Sequence, residues 1–207
     1  MQHAYITIAE FFDTYALATG RRYLKQMLKT AGSFHYWKGN PSNVLFFFEK
    51  LEGLVLAALV IHRTEKKREA ALLTLAPDEM PSLTAYSQYC GWHYQSDPWF
   101  FFPRSLNRSE YANPYLVFKQ VAAKGGRKAW RFRLQELQFH TLSTSSVNEN
   151  EDVDLDALRL YLLLSKLIEA AHLVEVRAIN EIGGEPPQKW KGQPVTAENG
   201  NNEKEPI

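Results

Sequence analysis

Apolar residues recur at helical spacing in several separate stretches of the chain. Ile8, Phe11, Phe12, Tyr15 and Ala16 predict a short helix over 8–18. Thr19 and Gly20 interrupt it, with Thr19 a candidate N-cap. The next helix, about 21–31, carries Tyr23, Leu24, Met27 and Leu28 on one side and ends at Gly32, a candidate C-cap. After a loop at Gly39-Asn40-Pro41, Ser42 or Asn43 starts a long helix to about Arg63. Residues 63–69, RTEKKRE, read as a solvated charged stretch, and 70–76 fit helix or strand equally. Pro98, Pro103 and Pro114 punctuate an aromatic-rich stretch over 86–118, predicting short helices and loops. Helices follow over 113–123 and 127–141, separated by Gly125-Gly126, and a second long helix covers 155–182. Asp152, Asp154 and Asp156 stand at its start, where the helix dipole favours negative charge.

This order repeats. At an offset of 106, Phe12 meets Phe118, Ala16 meets Ala122, Gly20 meets Gly126 and Arg21 meets Arg127. Phe34-His35 recurs as Phe139-His140, and Lys50-Leu51 of one long helix recurs as Lys166-Leu167 of the other. The expectation is an all-α bundle, one domain over 1–183. Two pseudo-repeats, 8–63 and 113–182, are joined by the aromatic-rich segment 77–112, with minor β elements allowed near 70–102. Both long helices are too apolar for an exposed position and belong at the centre. Residues 184–207 turn to Gly, Pro, Asn, Gln, Lys and Glu and read as a flexible tail.

Composition bounds the picture. The 207 residues are 45% hydrophobic and 23% charged, ordinary for a globular domain. One cysteine excludes an intramolecular disulfide and a cysteine zinc site. The first twenty residues lack the features of a secretory leader, which with the single thiol points to the cytoplasm. The most apolar stretch, Val44–Ile61, is interrupted by Glu49, Lys50 and Glu52, so no membrane partner is expected.

The net charge is only +1, yet the charges are segregated. Between Asp13 and Glu49 every charge is basic: Arg21, Arg22, Lys25, Lys29 and Lys38. Between Glu110 and Glu136 the same holds for Lys119, Lys124, Arg127, Lys128, Arg131 and Arg133. The two basic runs fall in corresponding parts of the repeats. Arg21, Arg22, Lys25, Arg127, Lys128 and Arg131 are therefore the candidate contacts to phosphates or another anion. Trp92, Trp99, Phe100 and Phe101 are the candidate interface residues.

Catalytic motifs are fragmentary. Arg133 and His140 form Arg-x6-His in RLQELQFH, which resembles the short signature of the HEPN ribonuclease superfamily, also all-helical. The resemblance implies that Arg133 stabilises phosphate charge and His140 handles protons or orients phosphate. It covers that motif only, and Leu134 follows the arginine where the family usually has a polar residue. Glu169-x-x-His172 is half of a di-iron pattern. Cys90 and His93 in YCGWHY have the spacing of a nucleophile and base. There is no phosphate-cradling glycine loop and no nucleophile elbow. No cofactor and no metal are expected. The sequence reading is a non-catalytic binding or regulatory module for an anionic macromolecule or protein partner. Its alternatives are a HEPN-like ribonuclease using Arg133 and His140, or a structural, oligomer-forming subunit.

Overall fold

The computed structural model describes residues 2–33, 35–65, 86–90, 97–144 and 156–179. Among them are seven α-helices and no strand. They are α1 (Gln2–Thr14), α2 (Leu17–Ala31), α3 (Pro41–Glu65), α4 (Arg108–Ala112), α5 (Tyr115–Ala123), α6 (Arg127–Leu142) and α7 (Ala157–Val174). A π-helical turn, Glu175–Ile179, extends α7, and single 3-10 turns occupy Tyr86–Gln88 and Pro98–Phe100. The expectations for 66–85, 145–155 and 180–207 lie outside the described residues, including the tail and part of the allowed β region. Residues 86–90 and 97–102 of that region form 3-10 turns and bends.

The first break falls earlier than the pattern predicts. The chain turns at Tyr15-Ala16, and Gly20 lies inside α2 rather than ahead of it. Thr19 is accordingly not the N-cap; Ala16 holds that position without a side-chain hydrogen bond. Gly20 is buried, and a Cβ there would stand 3.5 Å from the Phe11 ring and 3.8 Å from Ile168. The glycine sits inside α2 against α1 and α7, with room for a Cβ at ordinary contact distance; it does not stop a helix. The other boundaries follow local chemistry. Gly32 caps α2, its N–H reaching the carbonyl of Leu28. Asn40 Oδ1 accepts from the Ser42 N–H at 2.9 Å, with Pro41 at the first helical position. Gly125 has φ +133°, and a Cβ there would stand 2.9 Å from Ala129 Cβ, so the α5–α6 turn requires glycine. Asp156 caps α7 by accepting the Arg159 N–H at 2.9 Å.

Several tertiary contacts correspond under exchange of α1, α2 and α3 for α5, α6 and α7, although α3 packs extensively on α5 and α1 only lightly on α7. Helix α1 packs on α3 as α5 packs on α7. Helix α2 packs on α7, the long helix of the other half, as α6 packs on α3. Helices α2 and α6 touch each other, and so do α3 and α7. An offset of 110 in place of 106 would pair Tyr5 with Tyr115 and Arg21 with Arg131. The hydroxyls of Tyr5 and Tyr115, 110 residues apart, hydrogen-bond to each other at 3.0 Å. Arg21 of α2 pairs with Glu169 of α7, and Arg131 of α6 pairs with Glu52 of α3, each at 2.9 Å. Moving the offset by four residues is about one helical turn and preserves the buried face, so the apolar pattern alone does not distinguish the two registers.

The core runs continuously between the two long helices. Phe47, Leu51, Leu54 and Ile61 of α3 meet Leu164, Leu167 and Ile168 of α7 in one buried cluster with Ile8, Phe11, Leu24, Phe118 and Trp130. Every residue from Leu167 to Val174 is buried, so the second half of α7 is enclosed on all sides. A second, smaller cluster holds Tyr89, Cys90, Tyr111 and Leu173, with Phe101 and Phe102 packed against it.

Candidate functional site

Helices α2 and α6 pack on each other, α2 also on α7 and α6 also on α3, and each keeps one face in solvent. The C-terminal halves meet where Thr141 Oγ1 donates to the Met27 carbonyl at 3.3 Å. Leu24, Met27, Leu28 and Ala31 face inward from α2, leaving Arg22, Lys25 and Lys29 exposed at i, i+3 and i+7. Trp130, Leu134, Leu137 and Thr141 face inward from α6, leaving Lys128, Phe132, Gln135 and Phe139 as its outward stripe. Phe132 is 52% exposed and Phe139 60%. At the offset of 110, the α2 cations Arg22 and Lys29 correspond to these two rings. Helix α2 contains no carboxylate, and Glu136 is the one carboxylate on α6.

The six candidate anion contacts do not share one environment. Arg22, Lys25, Arg127 and Lys128 are exposed. Arg131 is exposed but engages Glu52 at 2.9 Å. Arg21 is committed elsewhere: its guanidinium binds Glu169 at 2.9 Å and the carbonyls of Phe102 and Phe100 at 3.0 and 2.9 Å. The sequence signal that would have separated Arg21 from Arg22 is helical phase, since Arg21 adjoins the buried Leu17–Gly20–Leu24 face.

Glu169 is the hub beneath the aromatic segment. It is fully buried, and its oxygens accept from Arg21, from the N–H groups of Arg104 (2.8 Å) and Ser105 (2.6 Å), and from Ser105 Oγ (3.2 Å). Those contacts fill the acceptor capacity of a carboxylate. This pins residues 100–105 onto α7. The half di-iron motif is thereby explained without metal: Glu169 is saturated, and His172 Nε2–H donates to the Tyr89 carbonyl at 2.7 Å. No group of three or more potential ligands occurs among the described residues. Lys166, one turn before Glu169, binds Glu110 at 2.6 Å instead. Burial would raise the Glu110 pKa. Hydrogen bonds from Lys166, Gln120 and the Asn107 N–H, with the Lys166 charge, outweigh it and hold the carboxyl below its ordinary range.

The interface candidates divide similarly. Trp99 and Phe100 are about half exposed, Phe101 and Phe102 are partly buried, and Trp92 lies outside the described residues. Trp99 stacks on Phe102 with ring centroids 6.2 Å apart, and the Arg104 guanidinium lies 4.4 Å from its centroid. Cys90 is fully buried and burial pushes its thiol up to about 11, so no thiolate is present near neutrality. His93 lies outside the described residues.

Arg133 and His140, seven residues apart on α6, differ in their surroundings. Arg133 donates to the Lys124 carbonyl at 2.8 Å and faces a depression bordered by Lys124 and Arg159. His140 is 3% exposed, with Nε2 3.8 Å from Glu136. No protein-family model, curated protein or solved structure matches the chain. Any functional reading therefore rests on its own residues.

Proposed function

We propose that this protein is a non-catalytic binding module for an anionic macromolecule, single-stranded nucleic acid being the class its surface chemistry fits best. The observation that carries this reading is the α2/α6 layer. Arg22, Lys25, Lys29 and Lys128 stand exposed on these two packed helices, as do the Phe132 and Phe139 rings of α6, with few carboxylates on either helix. Cations attract phosphates without regard to sequence, and exposed rings stack on unpaired bases. The two exposed rings would gain by covering, which favours a ligand with flat apolar faces over a simple polyanion. The ribonuclease reading on Arg133 and His140 remains the alternative, placed second because His140 is buried.

The test is a fluorescence-anisotropy titration with labelled RNA, single-stranded DNA and duplex DNA at low and high salt, with product integrity checked on gels. Expected are binding that weakens steeply with salt, preference for unpaired strands, and no cleavage. Absence of binding, or binding indifferent to salt, would refute the proposal. Cleavage abolished by His140→Ala would put the nuclease reading in its place.

A further inference from the structure

On the opposite flank of α7 from α2, two depressions run together between α5 and α7. One, of about 290 Å³, lies at the start of α7 against Trp130 and Arg133; the other, of about 430 Å³, lies further along. Lys124, Arg159 and Leu163 border both, so they form one groove. From Asp156 to Lys166 the groove follows α7 for about 15 Å, the length of roughly ten helical residues.

Its rim carries Lys124, Arg133, Arg159 and Lys166, against Asp156 as the carboxylate lining it. Existing interactions leave much of this positive charge exposed. The Arg159 side chain is 80% exposed even while it touches Asp156, and Lys124 is exposed on the surface. Lys166 binds Glu110 from beneath and keeps about a quarter of its side chain in solvent. The floor is aliphatic: Leu160 and Leu163, with Leu162 49% exposed along one edge.

We propose that this groove docks an acidic amphipathic helix from a protein partner. Leucine-type side chains would fill the gap over Leu160, Leu162 and Leu163, while carboxylates on its flanks would meet Lys124 and Arg159 on the rim. The floor chemistry decides against a nucleic-acid strand here. Trp130 is 1% exposed, and no exposed ring borders the groove, so bases would find no stacking platform. This site is separate from the α2/α6 layer, and the two stand or fall independently.

The 207-residue protein is titrated with a fluorescein-labelled peptide of about twelve residues, with leucines at i, i+3, i+4 and i+7 and glutamates on both flanks. The same peptide with lysines for glutamates, and a labelled oligothymidylate, serve as comparisons. The acidic peptide is expected to bind and the basic one not. The double variant Lys124→Glu/Arg159→Glu is expected to weaken peptide binding about tenfold or more. Leu162→Asp is expected to weaken it about threefold to tenfold. These positions are exposed, and an unchanged far-ultraviolet circular dichroism spectrum confirms folding. The proposal is overturned if the acidic peptide does not bind, or binds the variants equally. It is also overturned if the oligothymidylate displaces the peptide and itself loses affinity in the Lys124/Arg159 variant.

Discussion

Replacing Glu169 by Gln should unlatch the aromatic segment while keeping the shape of the side chain. The amide oxygen can still accept from one of the Arg104 and Ser105 N–H groups, now 2.8 and 2.6 Å from the carboxylate. The amide nitrogen then faces donors where an acceptor stood. Arg21, whose side chain is only 16% exposed, loses its counter-charge but keeps the Phe100 and Phe102 carbonyls. Removing one partner of a buried ion pair costs about 3–5 kcal/mol, and the retained carbonyls place this case near the lower end, about 3 kcal/mol. For a chain of this size that corresponds to a fall in Tm of roughly 6–12 °C. Urea titrations followed by circular dichroism and tryptophan fluorescence measure it. Arg21→Met combined with Glu169→Gln should cost less than the sum of the two single changes, since the pair is removed together. A Glu169→Gln protein within about 0.5 kcal/mol of the wild type would refute the view that this carboxylate anchors residues 100–105.

Cys90 should resist iodoacetamide at pH 8 in the native protein and react on unfolding; fast native labelling would contradict its burial. Because Phe101 and Phe102 pack against the Cys90 cluster, Glu169→Gln should speed that labelling. Glu110 has a folded-state pKa below its ordinary 4.5, so its contribution to stability is present above that value and is lost as pH falls through the folded one. Denaturation midpoints measured from pH 7 to pH 3 should fall less steeply in Glu110→Gln than in the wild type, whatever the variant's lower starting stability. Gly20→Ala should stabilise by about 0.5–1 kcal/mol, since its Cβ would meet Phe11 and Ile168 at ordinary van der Waals distances, whereas Gly20→Leu should destabilise. Gly125→Ala should destabilise in the same thermal melts, because the new Cβ meets Ala129 and φ is positive.

Much of the architecture was legible because helical periodicity survives wherever one face is buried. The long helices, the Gly32 cap and the Gly125 turn all follow from local residue chemistry. What was misread depended on packing between distant segments. Gly20 looks like a helix stop until Phe11 and Ile168 are seen pressed against it. Arg21 and Arg22 look equivalent until Glu169, on a helix near the other end of the chain, binds only one of them. An apolar pattern aligns the two segments equally well at offsets of 106 and 110, one helical turn apart, and only the second brings the hydrogen-bonded Tyr5 and Tyr115 into register. The exposure of Phe132 and Phe139 follows from their phase on α6, which turns both outward. The α5/α7 groove gave no signal in the sequence, because it is made by Lys124 and Lys166 from elements distant in the chain.

The central claim is that the α2/α6 layer is a phosphate-binding surface. Its most direct test is the slope of log K against log salt for a single-stranded oligonucleotide. The wild-type protein is compared with an Arg22→Gln/Lys25→Gln/Lys128→Gln variant, whose changes are all at exposed positions. Each cation withdrawn from a phosphate should flatten the slope by about 0.7, so the variant should bind more weakly and its slope should be shallower by about two. An identical slope in the two proteins, with the fold intact, would contradict the account.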